Sequence, residues 1–283
     1  MNTKYKLIES DFKFHLGIKL FRIQACASFG SVRKGALGGY IQGEHNLSFV
    51  DDAWVYGNAH VYENALVSGN AQVSGNAWVY GNAHVYGNAQ VYGEARVYEN
   101  AQVSGNALVY GNAHVYGNAQ VYENAQVSEN AQVYGEARVY ENAQVSGNAL
   151  VYGNAHVSGN AHVSGNAQVY GNAQVYGNAQ VYGNAHVSGN AHVYGNAHVS
   201  GNAHVNCRED LFFVSWAGYS ITITPQNISV GCKLWSRYGS LTVFKEYKGA
   251  AEEHNMSDET RERHMKIIRL GCSIVKRRKV TKR

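Results

Sequence analysis

Nine histidines fall on one grid of six residues: His60, His84, His114, His156, His162, His186, His192, His198 and His204. Imidazoles titrate near neutrality, so such a row could supply a general base or a set of metal ligands. A metal site needs several ligands converging on one point, and those would have to come from off the grid, where the sequence offers no such set. Glutamine fills the same position in otherwise matching hexads, and only His186 and His204 stand eighteen residues apart. A row of solvated polar side chains is the plainer account, and neither a catalytic residue nor a metal ligand is expected here. Cys26, Cys207, Cys232 and Cys272 are scattered, with no C-x-x-C pair. That spacing fits reduced thiols in a cytoplasmic protein better than a disulfide framework or a zinc knuckle.

The elements that carry the grid are repeats. From Asp51 to Asn206 the chain divides into 26 hexads of consensus G-N-A-x-V-[YS], with no insertion. Ala and Val stand two apart, so in an extended segment they share one face, while x and the Tyr or Ser point the other way. Ala77 and Val79 are one such inward pair. The Gly-Asn step is turn chemistry, because glycine takes positive φ freely and asparagine tolerates it. Each hexad therefore reads as one short strand and one corner, and a fixed period of this kind implies a solenoid. A single coil of three hexads cannot offset the entropy of ordering its residues. Stacked coils can, and nearly nine of them at ~4.8 Å make a rod on the order of 40 Å long whose open ends must be capped.

The period, the inward aliphatic residue and the small residue two before it resemble the hexapeptide-repeat family. The segment from Gly35 to Ser48 adds to this through Gly38, Gly39, Tyr40, Glu44, Asn46, Leu47 and Ser48. It is similar to the lead-in of acetyltransferase-like (YdcK-type) hexapeptide proteins of enteric bacteria and their prophages. The resemblance implies a mainly β fold: a single-stranded parallel β-helix, left-handed, with triangular coils of three hexads. Carried back from Asp51, the hexad frame puts Leu47 and Phe49 at inward positions, so the solenoid is expected to begin near residue 45. Enzymes of the family use coil histidines as a general base for acyl transfer, or as metal ligands across a trimer. They usually interrupt the coils with a loop that shapes the substrate pocket, and this sequence has no such loop.

Charge divides the chain in the same way. Residues 1–50 carry net +4, residues 51–206 net −7 and residues 207–283 net +7. The expected organisation is an N-terminal β cap over 1–44, the solenoid over 45–206 and a small α+β domain over 207–283. The N-terminal runs YKLI and IKLFRIQ read as strands. After Asn206, LFFVSWA and YSITITPQNISVGC read as a β-meander with turns near Gly218 and Asn227. A helix is predicted from Ser240, with Leu241, Phe244 and Tyr247 on one face. A second opens at Ser257, whose hydroxyl precedes an acidic first turn. This end resembles the small α+β domain of some phage-encoded proteins through Gly231, Cys232, Gly239, Ser240, Leu241, Phe244 and His254. The closing KRRKVTKR is a solvated charge run or an attraction for an acidic partner. No apolar run is long enough to span a bilayer, and no secretory leader is expected before the repeats.

One column stands out. Every eighteenth residue gives Tyr62, Tyr80, Tyr98, Tyr116, Tyr134, Tyr152 and Tyr170, beside Trp78 and Arg96. It reads either as ladder packing between coils or as an aromatic face for a partner or for self-association. A longer duplication, at 93–115 and 135–157, is shifted by two coils and one hexad, so Arg96 and Arg138 are expected on different faces. Copying without regard to face points away from a single active site. The expected function is a rigid, non-catalytic scaffold or binding protein of phage or prophage type, cytoplasmic and without cofactor. The alternative is an acyltransferase-like enzyme using acetyl-CoA.

Overall fold

A computed structural model describes residues 4–216, 219–230, 233–236 and 257–275. The chain opens with an antiparallel hairpin, β1 (Tyr5–His15) and β2 (Ile18–Ala25), turned at Leu16 and Gly17 with positive φ at both. Strand β3 (Leu37–Ile41) pairs antiparallel with β2 and parallel with the first face of the rod. Twenty-six two-residue strands follow, one per hexad, from β4 (Trp54–Val55) to β29 (His204–Val205). Each, up to the last three, pairs in parallel with the strand three ahead, as in Arg96↔His114 and Val97↔Val115. The result is a parallel β-solenoid of about nine turns with three sheets. The first face runs from His60–Val61 to His204–Val205, the second from Leu66–Val67 to His192–Val193 and the third from Trp54–Val55 to His198–Val199.

The inward alternation is complete: from Ala53 to Val205 every Ala and Val of the repeat is fully buried. At the corners it is the Gly slot, not the Asn, that takes the left-handed conformation. A Cβ at Gly81 would lie 2.7 Å from the backbone nitrogen of Glu99 one coil on, which is why glycine dominates the slot. Glu nevertheless occupies it at positions 63, 99, 123, 129 and 141, with φ of 57–60°. Four of these carboxylates accept the N–H of the corner residue in the next coil: Glu63 from Gly81, Glu123 from Glu141, Glu129 from Gly147 and Glu141 from Gly159. A charge-assisted bond thus offsets the strained backbone. Asparagine serves a different end. Its Nδ2 donates to the Oδ1 of the Asn one coil on, and one such ladder runs unbroken from Asn70 to Asn196. Glu94 and Glu136 interrupt the other two ladders.

The lead-in differs from the hexad frame. Tyr40 pairs with His60 and Leu47 with Val67, so this first turn holds two extra residues. Leu47 is inward and buried as expected, but the insertion pushes Phe49 out, and it is 46% exposed.

The two rims are closed by opposite chemistry. At the lower rim carbonyls face the cap and receive donors: Lys4 Nζ donates to Ser48 O and Ala53 O, and Asn46 Nδ2 donates to Glu63 O and Ala65 O. Burial pulls the Lys4 ammonium down to about 8, against the opposing pull of Asp52 and Asp51. At the upper rim backbone N–H groups face the cap and find acceptors: Thr222 Oγ1 for His198, Gln226 Oε1 for His204 and Asp210 Oδ2 for Asn206. Unpaired edges of this kind would otherwise template aggregation.

The upper cap is a four-stranded antiparallel meander: β30 (Phe212–Trp216), β31 (Tyr219–Ile223), β32 (Asn227–Val230) and β33 (Lys233–Ser236). Its second turn lies at Pro225–Gln226, closed by Thr224 against Asn227, so Asn227 already belongs to β32. Helix α1 (Asp258–Ile274) begins where Ser257 accepts the N–H of Thr260, and it buries Ile268 against Ile221, Ile223, Ile228 and Val230. The predicted turn at Gly218, the helix from Ser240 with Leu241, Phe244 and Tyr247, the motif residues Gly231, Cys232, Gly239 and His254, and the basic tail lie outside the described residues.

Candidate functional site

The outward surface is made of two side-chain columns per face, the x slot and the Tyr/Ser slot. On the first face the seven tyrosines form one stack. Successive rings from Tyr62 to Tyr170 have centroids 4.9–5.1 Å apart and planes within 6° of parallel. Each inner ring therefore spends both its faces on its neighbours and presents an edge and a hydroxyl outward. Burial, then the adjoining Tyr116 and Tyr80, push the Tyr98 phenol up to about 12, so it stays protonated at neutral pH. Tyr116 donates to Gln132 Oε1 at 3.3 Å.

The lower end of this face lies under the N-terminal hairpin. The His15 ring packs on Trp78 at 4.3 Å and on Tyr62 at 5.6 Å, and Tyr62 is only 3% exposed. His60 is sandwiched between Tyr40 and Trp78, at 5.5 and 4.2 Å, and is 8% exposed. Its Nδ1 is buried with no hydrogen-bond partner among the described residues. Burial first, then Lys13 and His15, lower its pKa to about 4. Here the expectation of a solvated side chain fails, because the covering hairpin is distant in sequence.

The remaining x-slot histidines are spread over all three faces. His114, His186 and His204 share the first face with His60, while His84, His156 and His192 lie on the second and His162 and His198 on the third. His186 and His204 stack at 4.8 Å. Burial, followed by a neighbouring cation or imidazole, lowers His114 (Arg96), His156 (Arg138) and His186 (His204), which favours neutral rings. Among the described residues no group of three or more His, Cys, Asp or Glu could hold a metal ion. Arg96 lies on the first face and Arg138 on the second, as the shifted duplication requires.

The second face holds a feature that reading for the longest uniform column passed over. Its slot is a tyrosine column interrupted by single serines: Ser68, Tyr86, Ser104, Tyr122, Tyr140, Ser158, Tyr176, Tyr194. Tyr122 and Tyr140 stack at 5.0 Å, and Tyr176 and Tyr194 at 5.8 Å. Where a serine separates two tyrosines the surface opens into a cleft, of about 360 Å³ at Ser158 and about 210 Å³ at Ser104. The sequence signal was present in the eighteen-residue spacing, as the interruption of a column.

Six stretches of the chain, residues 71–87, 101–117, 131–145, 143–159, 173–189 and 179–195, match the repeat described as YdcK beta solenoid repeat. No curated protein matches the chain.

Proposed function

Because the chain carries the YdcK-type β-solenoid repeat, we propose that it is a rigid, non-catalytic rod of phage or prophage origin that spaces or binds a partner. The observation that supports this reading best is the evenness of the rod. From Ala53 to Val205 no loop leaves the coils, and every inward position is closed by Ala or Val. The placement of Arg96 and Arg138 on different faces adds to it, since a duplicated active site would keep its residues together. Of the first-face column, Tyr62 and Trp78 lie beneath the N-terminal hairpin, and the stretch from Tyr80 to Tyr170 is the surface assigned to a protein partner or to a second copy. The basic C-terminal run is assigned to an acidic partner. Left-handed winding follows from the resemblance to hexapeptide proteins, and a cytoplasmic location from the four scattered cysteines.

The competing reading is an acyltransferase-like enzyme using acetyl-CoA, with its base among the neutral imidazoles of His114 and His186. Thermal melting of the full chain with and without acetyl-CoA separates the two. The rod reading expects no shift. A saturable rise in melting temperature would favour the enzyme, because a ligand that binds the native state must stabilise it.

A further inference from the structure

The two clefts of the second face have a common construction. At Ser158 the opening is bounded by Tyr140 below, Tyr176 above, His156 and Gln174 at the side and Glu141 at the corner. At Ser104 it is bounded by Tyr86, Tyr122, Gln102 and Gln120. The backbone is continuous and in register through both, so each cleft is a coil in which one ring has been left out of a tyrosine ladder. Two coil repeats set the bounding rings about 10 Å apart, so a flat ring seated halfway would lie about 5 Å from each. That is the spacing the intact stacks adopt: 5.0 Å for Tyr122 on Tyr140, and 4.9 Å for Tyr98 on Tyr116.

We propose that each cleft binds one flat aromatic ring, seated as the missing rung of the ladder. Tyr122, Tyr140 and Tyr176 are each stacked on one face by a tyrosine, which leaves the other face toward the gap without a tyrosine neighbour. The His156 ring meets Tyr140 edge-on there, as His114 meets Tyr98 within the intact ladder, and stacking on both sides compensates for desolvating the ligand. The imidazole of His156 and the amide of Gln174 stand at the edge of the Ser158 cleft, within the lining, and select rings that carry a polar edge atom. Ser158 and Ser104 are buried at the floor and admit a ring where a larger side chain would not. The carboxylate of Glu141 at the mouth, on a rod of net charge −7, disfavours anionic ligands such as phosphorylated nucleosides. Three coils, about 14 Å, separate the two clefts. An extended peptide with aromatic residues at i and i+4 spans that distance, so the ring can come from a free heteroaromatic compound or from a peptide side chain.

The test is titration of the full-length protein with indole, with a peptide containing one Trp and with a peptide of the form Trp-x-x-x-Trp, followed by ligand-observed NMR and calorimetry. Indole is expected to bind in about the millimolar range. The double variant Ser104→Tyr/Ser158→Tyr completes both ladders. It should lose binding of all three probes at least tenfold while melting about 2–4 °C higher. Tyr already fills this slot in other coils, so the variant is compatible with the fold, and Ser146→Tyr on the third face is the control that should bind as the parent does. A tenfold gain for the two-Trp peptide over the one-Trp peptide identifies a side chain as the ring. Equal affinity of the two peptides with indole binding retained identifies a free ring. Absence of binding by the parent, or binding unchanged in the double variant, overturns the proposal.

Discussion

At the scale of single residues, one histidine behaves unlike the other eight on its grid. His60 sits between Tyr40 and Trp78 with Lys13 and His15 nearby, and its pKa falls from 6.5 to about 4. Between those two values the unfolded chain binds a proton that the folded chain refuses. Stability from this group is therefore complete above pH 6.5 and is lost as pH falls toward 4, by on the order of 3 kcal/mol. His60→Gln puts in place the residue found at this slot in many other coils. The parent should lose more melting temperature than the variant between pH 7 and pH 4.5. Parallel pH profiles for the two proteins would show that the imidazole is not kept neutral by its cover. The five other histidines with lowered pKa are present in both proteins and cancel in the comparison.

At the scale of elements, the strands are too short to be stable alone, and the columns between them hold the coils in register. Each stacked aromatic pair contributes about 0.5–1.5 kcal/mol beyond burial. Replacing Tyr98, Tyr116 and Tyr134 together by Ser removes four stacked contacts of the first-face column. The expected cost is roughly 2–6 kcal/mol, read by denaturant unfolding, with the fold retained because Ser occupies this slot in other coils. Sedimentation of the same protein tests the partner assignment. A lower solution mass than the parent, with no change in a Tyr92/Tyr110/Tyr182→Ser control, assigns self-association to the column. Unchanged mass in both leaves the column as packing between coils. The alternation of Ala and Val was legible because it lies within one hexad. The asparagine ladder was not, because it belongs to residues eighteen apart, and asparagine looked like a turn residue on its own. Phe49 was misplaced because the hexad frame was carried back through the two extra residues of the first turn. The clefts were missed for a related reason: attention to the unbroken tyrosine column on one face hid the broken one on the next.

At the scale of the whole molecule, the rod has a polarity that its ends must respect. The lower rim shows carbonyls, met by Lys4 and Asn46, and the upper rim shows N–H groups, met by Thr222, Gln226 and Asp210. The caps are thus chemically opposite and cannot exchange places, whereas the coils between them are nearly equivalent. Stability of such an array is close to a sum of coils and their interfaces. Deleting residues 93–110 removes one whole coil and returns every column to its own face. It also removes Glu94, where one asparagine ladder breaks, and Ser104, so that Asn76 meets Asn112 and Tyr86 meets Tyr122 directly. The shortened chain should fold with both caps seated, and small-angle scattering should find it shorter by about 5 Å. Deleting residues 93–101 instead joins Tyr92 to Gln102, which leaves out a corner and reverses the inward alternation. That protein should unfold or aggregate. If both deletions fold equally well, or the eighteen-residue deletion fails, the coil is not the unit of this structure. The even sequence would then need some explanation other than the interchangeability of its turns.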